Sequence, residues 1–359
     1  MIHKIGIIGL GVIGASLGMA LRSCCPEIIV AGRDLDGEIV TRAIELGALD
    51  LPLDDQLLAE CDLVIMATPL QAMAETIKQI KDHIKPGAII SDVGSVKSWV
   101  MQLLEENIPA AIHIIGGHPM AGSEKSGLQA ADKFLLQNAA YILTPRPGTA
   151  EKPLQELTEL LKTIGARVVI MNAREHDQAV ARVSHLPHLM SAALVNNLAA
   201  KPEFLALAGG GLRDSTRTAA SDPDLWQDIL MLNRDAVIEE LESMLQILID
   251  VQLALQYKDG EMLHRYLQTA CTTRKNVPSL RPCLEDARDL IAIIPDQPGV
   301  IGIIGTLLGH ADINIQILQL LNVRDEDEGS IKITVPGEKA FAACELLKKQ
   351  GFQSWLLEK

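Results

Sequence analysis

Short apolar runs alternate with amphipathic stretches through the first half of the chain. Runs rich in β-branched residues predict strands, and apolar positions that recur at three- and four-residue steps predict helices. The predicted strands are Lys4–Ile8, Glu27–Ala31, Leu63–Ala67, Ala88–Ser91, Ala111–Ile115, Tyr141–Thr144 and Arg167–Met171. The predicted helices between them are Val12–Leu21, Asp36–Leu46, Met73–His83, Val96–Glu105 and Lys152–Thr163. Apolar strands that alternate with helices are typical of a parallel sheet covered on both faces, so we predict an α/β domain over residues 1–172.

The pattern changes after residue 172, where the strand signal stops. Glu175–Leu198 and Leu225–Gln256 predict two long helices, and in the second the apolar residues recur mostly at three- and four-residue steps. Helices this long and this apolar need a surface to pack against, and a second subunit is the partner that we expect. We therefore predict an all-α substrate and dimerisation domain over residues 173–273, in a homodimer.

The remainder of the chain predicts a linker and a small third domain. Residues 274–286 carry Arg274, Lys275 and two prolines, a composition typical of linkers. Residues 287–359 then predict the order β-α-β-β-α-β, which is the ferredoxin-like α+β arrangement. Its predicted elements are strand Leu290–Ile294, helix Gly299–Gly309, strands Ile313–Leu321 and Ser330–Val335, helix Lys339–Gln350 and strand Phe352–Leu357. We interpret the acidic run Asp325–Glu328 between the middle strands as a solvated turn.

Composition narrows the classes of partner. The chain has 359 residues, and its 48% hydrophobic share excludes a disordered protein. A net charge of −14 and a pI near 5.1 argue against nucleic acid or an anionic membrane, because both attract a basic surface. The aromatic share of 3% also disfavours base stacking. An anionic small molecule stays compatible, because a basic pocket can lie within an acidic protein.

Targeting and cysteine signals favour a soluble cytoplasmic protein. The most apolar segment, Ile5–Leu21, is interrupted by five glycines and lacks a clear cleavage site, which disfavours a signal peptide or a membrane span. The six cysteines include no C-x-x-C pair, so we expect no metal site. Scattered thiols fit a reducing compartment.

A dinucleotide-binding fingerprint follows the first predicted strand. Gly9, Gly11 and Gly14 form G-x-G-x-x-G between that strand and the first helix. In a Rossmann-type domain, the first glycine permits the tight turn, the second lets a pyrophosphate approach, and the third lets helix and strand pack closely. The phosphates would then meet the backbone N–H groups of Val12 and Ile13 at the helix N-terminus.

Residues at the ends of the next strands define the rest of the predicted cofactor site. Asp34 lies at the distance expected of the acid that binds a ribose 2′-hydroxyl, which favours NAD. Its neighbour Arg33 leaves NADP as an alternative. Thr68 and Pro69 follow another strand at the edge where such sheets bind ligands. Ser95 follows the next strand, where it is a candidate both for contact with nicotinamide or substrate and for the N-cap of the following helix, and the two roles are compatible.

Four motifs carry the candidate catalytic chemistry. They are G-G-H-P-M-A-G-S-E at residues 116–124, S-H-L-P-H at 184–188, G-G-G-L-R-D-S-T-R at 209–217 and S-D-P-D-L-W at 221–226. His118 stands among glycines and a proline, which indicates a side chain presented to a cleft, and histidine titrates near neutrality. The order and spacing of these motifs match those of the prephenate dehydrogenase family, which the chain resembles over roughly residues 1–270.

The resemblance implies a reaction and a set of roles. Family members oxidatively decarboxylate prephenate to 4-hydroxyphenylpyruvate on the route to tyrosine. It implies that His118 hydrogen-bonds the C4 hydroxyl and acts as general base, with Ser95 beside it. It implies that Arg217 binds a substrate carboxylate and that His188 also binds substrate. The other implied substrate-binding or supporting residues are Ser123, Asp214 and Trp226.

The end of the chain carries a second resemblance. Pro295–Gly299 and Ala311–Asn314 are similar to the ligand-contacting turns of an ACT domain, a small-molecule sensing module found in some family members. The resemblance implies feedback inhibition by tyrosine, with Gly299 and Asn314 near the ligand. Tyrosine can alternatively compete at the active site, because it resembles the product.

Several alternatives remain open from the sequence. Arogenate is the nearest alternative substrate. A β-hydroxyacid dehydrogenase is disfavoured, because its chemistry typically relies on a lysine in the helical domain and the only lysine between Glu175 and Asp224 is Lys201. A non-catalytic NAD-binding amino-acid sensor is a third alternative. Arg213 is an alternative to Arg217 as the residue that binds the substrate carboxylate. His185 and His188 form an H-x-x-H pair, which is only a weak signal for a metal site. The histidines interpreted as structural are His3, His83, His113, His176, His264 and His310.

Overall fold

The computed structural model describes residues 2–121, 127–277, 287–323 and 328–357. The chain divides into two compact units, Met1–Leu267 and Gln268–Lys359. Within the described residues, no helix has the length and apolarity that a membrane span requires.

A twisted sheet of eight strands organises the first unit. The strands are β1 (Lys4–Ile8), β2 (Ile29–Arg33), β3 (Leu51–Pro52), β4 (Leu63–Met66), β5 (Ile89–Asp92), β6 (His113–Pro119), β7 (Ala140–Pro145) and β8 (Arg167–Ile170). Their order is β3-β2-β1-β4-β5-β6-β7-β8. The first six strands are parallel and follow the order 3-2-1-4-5-6 of a Rossmann sheet.

The prediction of a wholly parallel sheet is wrong at its far edge. β7 pairs antiparallel with β6, with Gly117 opposite Leu143, and β8 runs parallel to β7. An antiparallel return needs no crossover helix, and the described part of this connection carries a 3₁₀ turn at Leu128–Ala130. Apolar periodicity reports that a strand exists and not its direction.

Helices cover both faces of this sheet. They are α1 (Val12–Cys24), α2 (Gly37–Glu45), α3 (Asp55–Leu58), α4 (Leu70–Ile80), α5 (Lys97–Asn107) and α6 (Glu151–Thr163). Alternate strand residues enter opposite cores, so Ile5 and Ile7 pack with α1 while Ile8 packs with α4 and α5. The strands are therefore buried on both faces, as their uninterrupted apolar sequence predicts.

The rest of the first unit is helical. α7 (Ala173–Val180), a π-helical turn (Ala181–His185) and α8 (Leu186–Ala199) form one continuous helix. It is followed by α9 (Gly210–Thr216), α10 (Pro223–Leu232) and α11 (Arg234–Gln256), with 3₁₀ segments at Pro202–Leu207 and Arg217–Ala220. The next helix, α12 (Gly260–Asn276), begins in the first unit and continues past its end at Leu267. Ile229 of α10 enters the core beneath the sheet, and Gln71 of α4 donates a hydrogen bond to Asp228 at 2.6 Å. α10 is thus anchored on the α/β layer.

Two predictions about these helices need correction. The single helix predicted over Leu225–Gln256 is two helices, separated at Asn233. The Asn233 side chain donates to the Asp177 carbonyl at 2.9 Å, so a buried polar contact sets the break while the apolar period continues across it. Arg274 and Lys275, predicted to begin a linker, lie in the last turn of α12. Residues 278–286 of that predicted linker lie outside the described residues.

The second unit has the predicted order of elements. They are β9 (Ala287–Pro295), α13 (Val300–His310), β10 (Ile317–Val323), β11 (Glu328–Pro336), α14 (Ala340–Lys349) and β12 (Ser354–Leu356). The strands form an antiparallel sheet in the order β10-β11-β9-β12. Its buried face packs on α13 and α14 through Leu290, Ile304, Ile333 and Leu347. Residues 325–327 of the acidic run lie outside the described part.

Candidate active site

The three glycines of the fingerprint meet three different steric demands. Gly9 has φ +94°, and a Cβ there would lie 2.6 Å from the Ala67 carbonyl oxygen. A Cβ on Gly14 would lie 2.1 Å from the Gly9 carbonyl oxygen. A Cβ on Gly11 would meet no described atom within 4 Å, which leaves the backbone open to a ligand. These are the turn, the close packing and the open approach that a pyrophosphate site requires.

The start of α1 is suited to bind phosphate. Its N-cap is Gly11, which supplies no side-chain hydrogen bond, and its first turn carries no acid. The N–H groups of Val12 and Ile13 therefore lie at a positive helix end with no helical carbonyl to accept them.

Asp34 is oriented as a ribose-binding acid. Its Oδ2 accepts the Leu10 N–H at 2.8 Å and its Oδ1 accepts the Asp36 N–H at 3.2 Å, which holds the carboxylate beside the glycine turn. The Arg33 guanidinium donates to Asp55 at 2.9 Å. That contact uses one guanidinium nitrogen, and Arg33 Nη2 is buried without a hydrogen-bond partner among the described residues. The carboxylate of Asp34 suits the neutral 2′-hydroxyl of NAD, so the site fits that cofactor.

A cavity of about 230 Å³ adjoins this acid. It is lined by Arg33, Asp34, Thr68 and Pro69 among others, so the structure brings these four predicted cofactor residues together. The Thr68 hydroxyl oxygen is buried and has no hydrogen-bond partner among the described residues. A buried hydroxyl of this kind is a ready contact for a bound cofactor.

His118 lies at the end of β6 and is hydrogen-bonded to a second histidine. Its Nδ1 lies 2.8 Å from Nε2 of His176, at the start of the long helix. His176 Nδ1 lies 2.8 Å from the Asp177 carboxylate. His176 is 0% exposed and Asp177 is 5% exposed. The three side chains form what we call the His118–His176–Asp177 chain.

A buried ion pair fixes the strand just before His118. Lys97 and Asp92 are both 0% exposed and form a salt bridge. The Lys97 ammonium donates to the Gly117 carbonyl at 2.8 Å, and Asp92 accepts the Gly117 N–H at 3.0 Å. A buried pair costs desolvation and is retained for geometry more readily than for stability. Here the geometry that it sets is the position of Gly117, next to His118.

Burial keeps the histidines of this site neutral. Burial lowers the pKa of His118 well below 6.5, and the neighbouring His176, Lys97 and His185 lower it further. Burial also lowers the pKa of His176, although Asp177 opposes the shift. Burial lowers the pKa of His185 to about 4. A neutral imidazole can accept a proton, which a general base must do.

Ser95 does not cap the helix that follows it. α5 begins at Lys97 with Val96 as its N-cap and no side-chain cap. Its first amides, those of Lys97 and Ser98, instead donate to Asp177 at 2.7 and 2.8 Å. The capping interpretation of Ser95 is therefore wrong, and its half-buried hydroxyl makes no hydrogen bond with the described residues.

His188 stacks on Trp226 beyond the π-helical turn. The two rings are parallel within 4°, with centroids 3.5 Å apart, and His185 meets the same indole edge-on. Pro187 cannot continue a regular α-helical hydrogen-bond pattern, and a π turn accommodates such interruptions, often at functional sites. His188 Nδ1 and the Ser191 hydroxyl one turn later are buried without partners in the described structure.

The remaining predicted substrate residues lie beside α8. Asp214 and Arg217 are exposed, in α9 and the 3₁₀ segment after it, and that segment packs against α8. Arg213 is also exposed on α9. Of the predicted residues, His188 thus lies on the helix against which the Arg217 segment packs, while His118 lies at the end of β6 against His176, which was not predicted. Ser123 lies outside the described residues.

Sequence reasoning missed the residues that hold His118. His176, interpreted as structural, is its direct partner, and Asp92, Lys97 and Asp177 had no assigned role. The one local signal was S-D-V-G-S-V-K at residues 91–97, which places an acid and a lysine at a strand end. His176 gave no signal, because it meets His118 across 58 residues of chain. Among the described residues, no group of histidine, cysteine and acidic side chains is arranged to hold a metal.

The nucleotide cradle at the carboxyl edge of the sheet, with neutral histidines beside it, defines an NAD-dependent dehydrogenase. Residues 17–170 match the nucleotide-binding domain of prephenate dehydrogenase, and residues 172–269 match its dimerization domain. The chain belongs to the prephenate dehydrogenase family.

Relatives agree with this assignment. The chain is 34% identical over 334 residues to a prephenate dehydrogenase of Bacillus subtilis (strain 168), covering 91% of this chain and 90% of the relative. The crystal structure of Synechocystis arogenate dehydrogenase is 31% identical with a TM-score of 0.70, covering 77% of this chain and 100% of that one. Prephenate dehydrogenase from A. aeolicus, in complex with hydroxyphenyl propionate and NAD+, is 29% identical with a TM-score of 0.72, covering 77% and 99%.

Proposed function

We propose that this enzyme converts prephenate and NAD to 4-hydroxyphenylpyruvate, CO₂ and NADH in tyrosine biosynthesis. The observation that carries the proposal is the neutral imidazole of His118, hydrogen-bonded to His176 at the carboxyl side of the sheet. The preceding residue, Gly117, is held in place by hydrogen bonds between its backbone and the side chains of Lys97 and Asp92. NAD, when bound, accepts the hydride from substrate C4.

His118 is the proposed general base. Its Nδ1 is engaged by His176, which leaves Nε2 to accept the proton of the C4 hydroxyl as the hydride departs. The ring carboxylate then leaves as CO₂, the electron pair of its bond completes the aromatic ring, and His118 returns the proton to the resulting phenolate oxygen. Because burial lowers the pKa of His118, the acid limb of the kcat/KM profile is expected below pH 6.5.

The other residues are proposed to position the substrate. Arg217 supplies a fork-shaped cation for a carboxylate, and its segment packs against the helix that carries His188. His188 offers the partnerless Nδ1 to a substrate oxygen, with Trp226 holding its ring. Ser95 contributes a hydroxyl near the nicotinamide. Ser123 and Asp214 complete the proposed substrate site.

A matrix of activities tests the proposed function. Purified enzyme is assayed for NADH or NADPH formation with prephenate or arogenate, each with NAD and with NADP. We expect the highest kcat/KM with prephenate and NAD. If neither substrate were turned over, the proposed catalytic function would be rejected in favour of a non-catalytic NAD-binding sensor.

Arogenate is the second candidate substrate. The observation in its favour is the 31% identical Synechocystis structure, which is an arogenate dehydrogenase. Arogenate carries an amino group where prephenate has a keto group, while the ring chemistry at C4 is the same. A higher kcat/KM for arogenate in the same assays would replace prephenate as the substrate.

The second unit is proposed to be a ferredoxin-like ACT domain through which tyrosine inhibits the enzyme. Its β-α-β-β-α-β order and antiparallel four-stranded sheet support this assignment. Gly299 adopts φ +90° as the N-cap of α13, and Asn314 is exposed before β10. Inhibition through this unit requires that tyrosine bind one conformational state of the enzyme more tightly than another.

We propose a cytoplasmic homodimer. The match of residues 172–269 to a dimerization domain supports the dimer, as do the apolar side chains exposed along α11. The free thiols of Cys24, Cys25, Cys61, Cys271 and Cys344 support a reducing compartment.

A further inference from the structure

We propose that His176 and Asp177 are positioning residues that hold His118 in a single tautomer, with Nδ1 protonated and Nε2 open to the substrate. This inference rests on the proposed role of His118 as the base. It concerns two residues to which neither the motifs nor the family resemblance assigns a role.

The direction of each hydrogen bond follows from the carboxylate. Hydrogen bonds from His176 and from the backbone of Lys97 and Ser98 lower the pKa of Asp177 despite its burial, so Asp177 is ionised. An ionised carboxylate only accepts, and His176 Nδ1 must therefore donate to it across 2.8 Å. A neutral imidazole has one N–H, so His176 Nε2 carries a lone pair.

The same logic extends to the base. His176 Nε2 accepts, and its partner 2.8 Å away, His118 Nδ1, must be the donor. The single N–H of neutral His118 is then at Nδ1, and its Nε2 carries the lone pair. A base needs that lone pair on the nitrogen facing the substrate. The wrong tautomer would present an N–H to the substrate hydroxyl.

Asp177 is itself held at two points. Its Oδ1 accepts the Lys97 N–H and its Oδ2 accepts the Ser98 N–H, so it occupies the positive end of α5. α5 has no side-chain cap of its own. One carboxylate therefore fixes both the helix that follows Ser95 and the histidine that contacts His118.

The other charged and titratable groups around the two histidines do not reverse this arrangement. Lys97 of α5 faces them, but its ammonium is paired with Asp92 and bonded to the Gly117 carbonyl. His185 of the π turn contacts Asn233 at 3.1 Å, and burial keeps it neutral. Asp177 is thus the anion that orients His176.

A double-mutant cycle tests the inference with the full-length enzyme. In His176→Asn the side chain is too short to place an acceptor where His176 Nε2 meets His118 Nδ1. We expect kcat to fall about 10- to 100-fold, less than the about 10⁴-fold known for a wrong histidine tautomer in a serine protease. In a His118→Asn background the same change is expected to leave kcat within about twofold, because His176 acts only through His118. An equal loss in both backgrounds would indicate a merely structural role and overturn the inference.

Two further variants sharpen the cycle. The amide oxygen of His176→Gln can accept the same hydrogen bond, so this variant is expected to keep about tenfold more kcat than His176→Asn. His113→Asn makes the same replacement at the far end of β6 and is expected to leave kcat unchanged. If His176→Gln and His176→Asn were equally impaired, the tautomer argument would fail.

A spectroscopic measurement needs no folded variant of His176. Imidazole ¹⁵N spectra of the wild-type enzyme with NAD, with His118 assigned by its loss in His118→Asn, report which nitrogen is protonated. We expect a protonated Nδ1 and an unprotonated Nε2, and a protonated Nε2 would refute the inference. The proposed function fails separately, namely if His118→Asn keeps full activity.

Discussion

At the scale of single residues, the proposed base is a neutral histidine in a buried setting. Burial keeps His118 unprotonated, and the Lys97–Asp92 pair holds the backbone beside it. The cation that we propose for the substrate carboxylate is a different residue, the exposed Arg217. The proposed base and the proposed carboxylate-binding cation are therefore separate residues, and substitutions can distinguish them.

Arg217→Ala is expected to raise KM for prephenate about 10- to 100-fold, the size of a lost hydrogen bond to a charged group. kcat is expected to change much less, because the carboxylate contact forms before the transition state. Steady-state kinetics at saturating NAD measure the two effects. Arg213→Ala is the matched control, and a larger KM effect there than at position 217 would transfer the role to Arg213.

How much of this site the sequence predicts depends on how far apart along the chain the contacting residues lie. The glycine fingerprint and Asp34 are local features of one β-α-β unit, and the structure brings them together as predicted. His118 stood out because it lies in a glycine-rich motif. His176 lies in an ordinary amphipathic helix, and only the folded chain shows that it meets His118.

At the scale of elements, apolar periodicity predicts where strands and helices lie and not how they join. It places β1 correctly and finds the order of elements in the second unit. It misses the reversed direction of β7 and the break at Asn233, because neither changes the apolar period. Both features depend on contacts between distant parts of the chain.

The α11 face carries the prediction of a dimer. Four of its apolar side chains are largely exposed in the single chain: Leu245, Leu248, Ile249 and Leu255. An exposed apolar surface of this kind marks an interaction site. Leu248→Glu is expected to shift the enzyme from dimer to monomer in analytical ultracentrifugation, because it buries a charge in the interface.

Leu46→Glu is the control for that experiment. It places the same charge at a similarly exposed leucine outside the predicted dimerisation domain, residues 173–273, and is expected to leave the dimer intact. A dimer that survives Leu248→Glu with unchanged affinity would show that this face is not the interface.

At the scale of the whole molecule, a catalytic unit is joined to a second compact unit with its own core. The proposed ligand of the second unit is tyrosine, whose synthesis the proposed reaction serves. A regulatory role predicts that inhibition and catalysis can be separated by substitution. If tyrosine instead competes at the active site, substitutions that weaken inhibition are expected to impair catalysis as well.

Asn314→Ala is expected to raise the tyrosine concentration for half-inhibition about tenfold, the effect of one lost hydrogen bond, while leaving uninhibited kcat unchanged. Inhibition curves of the full-length enzyme measure this, with Glu345→Ala as a surface control in the same unit. Unchanged inhibition, competitive with prephenate, would place tyrosine at the active site instead.

The most direct test of the account is the turnover of His118→Asn with prephenate and NAD. We predict that kcat falls about 10²- to 10⁴-fold, the usual contribution of a general base, while the Kd for NAD stays near that of the wild-type enzyme. A variant that keeps wild-type kcat would contradict the central claim that this imidazole is the base.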